Sequence, residues 1–199
     1  MARKPDAHAA TTHEQEHEQE HGDGTAATRS SATRSSAALP LAATVLTGTV
    51  ALYIALVAFG NITDYGTNRE FVRHVLAMDT TFRDPDLMWR SITSPALQDA
   101  AYLAIIAWET ASAAVLVVAT WLGVSGLRAG RGQAGRGRSL ATVGLLMVMV
   151  LFGAGFIAIG GEWFSMWQSK AWNGVEAALR NFLFAGVALV VVHLPREAD

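Results

Sequence analysis

A carboxylate in the middle of an apolar run is the first residue of this 199-residue chain that asks for a chemical explanation. Glu109 stands in "AIIAWETASAA". About nine residues of helix, or ~14 Å, separate it from the start of the run. An ionisable side chain at that depth in hydrocarbon is expensive, and such groups usually face a bundle interior or a wet cavity. Ser112 and Ala113, one turn on, are small enough to let a second helix come close. Two chemistries fit. Glu109 exchanges a proton or holds a cation, or it closes a structural ion pair or hydrogen bond, for which Arg180 in "AALRNFLFAG" is the natural partner. Glu109 and Arg180 together form the candidate intramembrane polar site.

Two further stretches, "NITDYGTNREFVRHVLAMDTTF" (61–82) and "GGEWFSMWQSKAWNG" (160–174), put polar chemistry just beyond apolar segments. They supply Asn61, Asp64, Tyr65, His74, Asp79, Glu162, Trp163, Trp167 and Asn173 as outer-face candidates. Asp64, His74, Asp79 and Glu162 are of the types used in general acid–base catalysis, provided that they converge in one cleft. The plainer expectation is that such residues start helices and close turns, and that the tryptophans form a belt at the membrane–water boundary. His74 and Met78 are four apart, with Asp79, Met88 and Met166 in the same loops, and imidazole with thioether suits copper(I). Met is also a common core filler, so no metal site is assigned. His13, His17 and His21 alternate with Glu in the N-terminal tail, which is only a compositional cue for metal.

Enzyme signatures are missing, and no catalytic residue is assigned. There is no phosphate-binding glycine loop, nucleophile elbow or H-E-x-x-H. "RAGRGQAGRGR" is glycine-rich but lacks the Lys-Ser/Thr of a P-loop. The absence of cysteine removes disulfides, thiolate metal sites and Cys nucleophiles. A haem held between His74 and His193 would need ligands from opposite faces of the bundle. The sequence identifies no cofactor.

The elements that must position these groups are four apolar runs, at 39–60, 100–123, 140–160 and 177–195. The first three are long enough to cross a ~30 Å hydrocarbon core at ~1.5 Å per residue. The fourth carries Arg180 and Asn181 near its start, where Arg can snorkel to the interface. Hydrophobic residues make up 51% of the chain and charged ones 16%, which suits a membrane protein. A formal net charge of −2 gives no basic field for nucleic acid. The expected fold is an all-α membrane protein with four transmembrane helices and an extracytoplasmic cap of short helices. Residues 1–38, with "HEQEHEQEHGDG" and "TAATRSSATRSSAA", read as a disordered low-complexity cytoplasmic tail.

Four spans put both ends of the membrane domain 39–195 on one side. The link 124–139 carries four Arg and no acid, which marks that side as cytoplasmic and leaves 61–99 and 161–176 outside. Within 61–99, Thr67 and Glu70 fit a capping box for a helix from about Asn68 to Met78. Phe71, Val72, Val75, Leu76 and Met78 would form its apolar face. Asp84-Pro85 predicts a second short helix through "DLMWRSI", and Ser94-Pro95 the start of the second span. Trp163, Met166 and Trp167 are spaced to share one helical face.

The chain resembles the bacterial family of predicted small integral membrane proteins known as domain of unknown function 2165. The residues that carry the resemblance are 61–82, "MWRSI", "AWE" at 107–109 and 160–174 followed by "LR", within about 40–195. The resemblance implies a four-span protein of the bacterial plasma membrane and assigns no substrate, reaction or site. Its partners would be the lipid bilayer, with other membrane subunits or a second copy of the chain as further possibilities. The leading functional expectation is a non-enzymatic solute-binding or transport component, or an accessory subunit of a membrane complex. The alternative is an enzyme or copper-handling protein acting at the extracytoplasmic face. Geometry separates them: an enzyme needs its acid–base set in one outer cleft, a transporter needs a polar path past Glu109, and an accessory subunit needs neither but should show an exposed, lipid-incompatible face.

Overall fold

Four helices long and apolar enough to cross a membrane dominate the computed structural model, which describes residues 38–130 and 135–195. These are α1 (Ala38–Thr63), α3 (Pro95–Arg128), α4 (Arg136–Trp163) and α5 (Val175–His193). A shorter helix, α2 (Tyr65–Ala77), follows α1 directly. Residues 1–37 of the expected tail, with its three histidines, and Arg131 of the basic link lie outside the described residues, and Ala38 opens α1. Each expected span is present, and each helix except α5 overruns its apolar run at both ends. α3 has 34 residues, or about 51 Å, well beyond the ~30 Å of hydrocarbon. Its first turns therefore stand in the cap. It begins at Pro95 behind Ser94 as expected, because proline fixes φ and has no N–H to orphan in the first turn.

The spans close into a ring. α1 meets α3 where a Cβ on Gly48 would lie 3.0 Å from Thr120 Cγ2. α3 meets α4 through the Trp108 indole, which donates to the Met147 carbonyl at 2.9 Å. α4 meets α5 where the Phe182 ring fills the notch at Gly153. α5 returns to α1 through Tyr53, which packs edge-on against Phe184 at 5.9 Å. Buried residues of α5 fall at Ala178, Asn181, Ala185, Ala188 and Val192, a three-four spacing that marks the inward stripe. Buried hydroxyls find partners inside their own helix: Thr44 and Thr47 donate to Pro40 and Ala43 carbonyls, as polar side chains in hydrocarbon must.

α4 changes character along its length. From Val150 to Trp163 it runs as a π-helix, and Phe164 N–H still donates to the Ile159 carbonyl, five residues back. Such segments are rare, are mostly one turn long, and recur at functional sites. Gly153, Gly155, Gly160 and Gly161 lie within it.

The cap is folded, though not quite as expected. α2 starts at Tyr65 rather than Asn68. The expected capping box does not form: Thr67 donates to the Asp64 carboxylate at 2.9 Å, and Glu70 instead pairs with Arg73. The chain passes from α1 to α2 through a single residue, Asp64, so the second helix needs no separate start signal. The second expected helix shrinks to one 3₁₀ turn, Met88–Arg90, because the Asp84 carboxylate accepts from the Asp86 N–H and closes an Asx turn. Trp163, Met166 and Trp167 do not share a helical face. α4 ends at Trp163, Ser165 takes a left-handed φ of 54°, and Met166–Gln168 is a 3₁₀ turn that buries Met166 and leaves the tryptophans exposed.

Arg69 ties α2 to α3. Its Nε and Nη2 donate to both oxygens of Asp99, each at 2.6 Å, and this hydrogen bonding raises the guanidinium pKa further above its ordinary value. A planar fork makes that contact and a lysine ammonium cannot. Arg69→Lys is therefore expected to speed amide hydrogen exchange across Tyr65–Ala77 while protection in the spans holds. Unchanged exchange in α2 would show that the cap is held by its apolar face alone.

Candidate functional site

Glu109 is 2% exposed and faces the bundle interior. Its Oε2 accepts a 2.6 Å hydrogen bond from Asn61 Nδ2. Asn61 sits in the last turn of α1, where carbonyls lack intrahelical partners. The Tyr102 hydroxyl supplies one, donating to the Asn61 carbonyl at 2.9 Å. Tyr102 in turn leans against Tyr65, with ring centroids 4.9 Å apart. A second polar pair joins α1 to α5: the Tyr53 hydroxyl donates to Asn181 Oδ1 at 2.8 Å, and Asn181 is 8% exposed.

These two pairs wall a cavity of about 380 Å³. Asn68 and Asn173 line it at the cap end, and Glu109 and Asn181 line it within the bundle. Phe71, Phe152 and Phe156 contribute rings, and no Lys, Arg or His is among its walls. Asn61 occupies one oxygen of Glu109. The other makes no hydrogen bond among the described residues, so a carboxylate oxygen remains for whatever enters. The arrangement can hold a solute that donates hydrogen bonds or carries positive charge.

The expected Glu109–Arg180 pair does not form. Arg180 is exposed, and no ion pair or hydrogen bond joins it to Glu109. The reason is angular. Neighbours on a helix point about 100° apart, and the residue on the inward stripe is Asn181. Asn61, expected only as an outer-face candidate, is the partner instead. Tyr53, Tyr102 and Asn181 were not singled out from the sequence. The spacing of Asn181 with Ala178, Ala185 and Ala188 is the signal that places it inward.

The remaining candidates are dispersed. His74 Nδ1 lies 2.9 Å from both Asp79 oxygens, and its ring stacks on Trp172 at 4.6 Å. Asp64 is exposed and bonds Thr67; Glu162 is exposed on the last turn of α4. Among the described residues, no hydrogen bond or ion pair links Asp64 or Glu162 to the His74–Asp79 pair. Met78 is 1% exposed, packed in the core, and no group of three or more His, Asp or Glu converges among the described residues. Trp163 packs edge-on to Trp89 at 5.6 Å under the Arg90 guanidinium, and Trp167 edge-on to Phe82 at 6.0 Å. Asn173 Oδ1 accepts from the Val175 N–H and so opens α5, while the residue also lines the cavity. His74 in α2 and His193 at the last residue of α5 stand at opposite ends of the bundle.

No curated protein and no solved structure matches the chain. The model of the DUF2165 family, described as predicted small integral membrane protein, matches residues 39–195. That span covers all four apolar helices and the cavity between them, and the chain belongs to this family of multi-pass integral membrane proteins.

Proposed function

We propose that this protein binds a small solute in the cavity around Glu109, as a binding or transport component of the plasma membrane rather than as an enzyme. The observation that carries this is the buried carboxylate in the wall of a 380 Å³ cavity, with one oxygen held by Asn61 and the other left for a ligand. Ligand sites are concave, largely apolar and furnished with a few placed polar groups, and this cavity fits that description. The four-Arg link supports a cytoplasmic position for the 124–139 end and for both termini, so the cap would face outside and solute would enter past Asn68 and Asn173.

The test is binding by the full chain in lipid nanodiscs, measured calorimetrically against a panel of small cations, zwitterions and neutral polyols. A hydrogen bond to a charged group contributes about 1.5–3 kcal/mol, so Glu109→Gln is expected to weaken the best solute roughly tenfold to a hundredfold. Binding that ignores this substitution, across the panel, would remove the cavity from the function. Orientation is checked separately. A reporter fused after Asp199 is expected to be active only when it is of the cytoplasmic type, and activity of an external reporter would invert the proposed entry side.

A further inference from the structure

A second cavity, of about 300 Å³, lies beside the first. Its walls are apolar, with Val75 and Leu76 from α2, Ala101 and Ala104 from α3, and Gly155 and Ile159 from the π-helical part of α4. Phe71, Val72, Ile105 and Phe156 line both cavities, so a wall one side chain thick divides them. In that wall the rings of Phe71 and Phe156 stack at 6.4 Å. Gly155 leaves space on the apolar side: a Cβ there would meet only Leu151 Cδ1, at 3.8 Å.

The two chemistries are complementary. In the polar cavity a single carboxylate sits among aromatic rings with no basic side chain in the lining. Carboxylate and ring faces together recognise organic cations. An anion would be repelled by the ionised carboxylate, whereas a cation would pair with it. A calcium ion takes roughly six to eight oxygens, with carboxylates prominent among them, and Glu109 is the one carboxylate in this lining. The apolar cavity, which shares four lining residues with the polar one, suits a hydrocarbon or aryl substituent on the same molecule.

We infer that the two cavities form one site for a lipophilic organic cation, with its ammonium group at Glu109 and its apolar substituent beyond the Phe71–Phe156 wall. This rests on the proposal that the Glu109 cavity binds solute, and it specifies the solute. The rings of the wall turn aside to admit the substituent. Phe156 does so from a widened helix, whose geometry is the kind that recurs where a helix serves a ligand.

The experiment uses the full chain in nanodiscs of zwitterionic lipid, with binding to empty discs subtracted, and three probes: methylammonium, phenylbutylammonium and phenylbutanol. Phenylbutylammonium is expected to bind at least about tenfold tighter than methylammonium, the smallest gain that burial of a phenyl-sized group gives. Phenylbutanol, with the same apolar part and no charge, is expected to bind at least about tenfold weaker than phenylbutylammonium. Glu109→Gln should weaken both cations, and filling the apolar cavity with Gly155→Leu should bring their affinity ratio toward one. Ala101→Leu fills the same space from α3 and serves if the glycine variant does not fold. Three results would overturn the inference: no advantage for the phenyl-bearing cation, equal binding of phenylbutanol, or a ratio unmoved by a folded filled variant. In each of these, Glu109-dependent binding of any solute in the wider panel would leave the proposed function standing. The absence of such binding throughout would take both down.

Discussion

Gly144→Leu is expected to prevent stable folding, and Gly144→Ala to lower stability by about 1–3 kcal/mol, the usual penalty for forcing volume into a packed core. A Cβ at this position would lie 2.6 Å from both Cγ and Cδ2 of Leu116 and 3.2 Å from Val115 Cγ1. Leu116 is fully buried, and its Cγ is not the free end of a side chain, so it cannot swing away. Replacing glycine by alanine within a helix otherwise stabilises it by up to about 1 kcal/mol, so the expected loss runs against propensity and reports the contact itself. Gly155→Ala is the control. Its Cβ makes one ordinary contact, and it should be neutral or stabilising. Thermal denaturation of the detergent-solubilised protein measures both. Equal behaviour of the two alanine variants would mean that α3 and α4 do not pack at Gly144 as described.

Asn61→Ala removes the donor to a buried carboxylate and is expected to destabilise the protein by about 1–3 kcal/mol, the range for stranding a buried polar group. Glu109→Leu strands the Asn61 amide from the other side and should fall in the same range. Asn61→Ala combined with Glu109→Leu removes both polar partners, and its loss should be smaller than the sum of the single losses. Glu109→Gln keeps an oxygen that can accept from Asn61, so its stability should stay within about 1 kcal/mol of the parent while cation binding weakens. Arg180→Gln, on an exposed side chain, should change stability by no more than about 0.5 kcal/mol. Strict additivity of the Asn61 and Glu109 substitutions would contradict the pairing. A large loss from Arg180→Gln would return the ion pair to consideration.

Glu109 and Asn61 are thus legible in the sequence as candidates, but their pairing and the close contact at Gly144 are not, and the reason is physical. Length and hydropathy determined the four spans, because within a single segment only a helix satisfies every backbone group in hydrocarbon. They also placed a carboxylate inside the second span, and Ser94-Pro95 set where α3 begins. The alternation of apolar residues in α2 determined that this helix lies on its Phe71–Val75 face, and Phe71, Val72, Val75 and Leu76 do line the apolar cavity. These properties are local or additive along the chain.

Which side chain faces Glu109 is neither. It depends on the rotation of α1 and α5 about their axes and on their depth against α3. Asn61 reaches Glu109 because α1 continues three residues past its apolar run to Thr63, carrying Asn61 in its final turn. Arg180 misses because the inward stripe of α5 runs through its neighbour. Charge complementarity favoured Arg180, but helix phase decided against it, since rotating α5 to bring Arg180 inward would expose the buried stripe at Ala178, Ala185 and Ala188. The widening of α4 into a π-helix, and with it the paired cavities, likewise left only a cluster of glycines in the sequence. The tertiary structure alone decided that a polar and an apolar cavity share the Phe71–Phe156 wall, because that wall is built from helices whose contact sets it and not from either segment by itself.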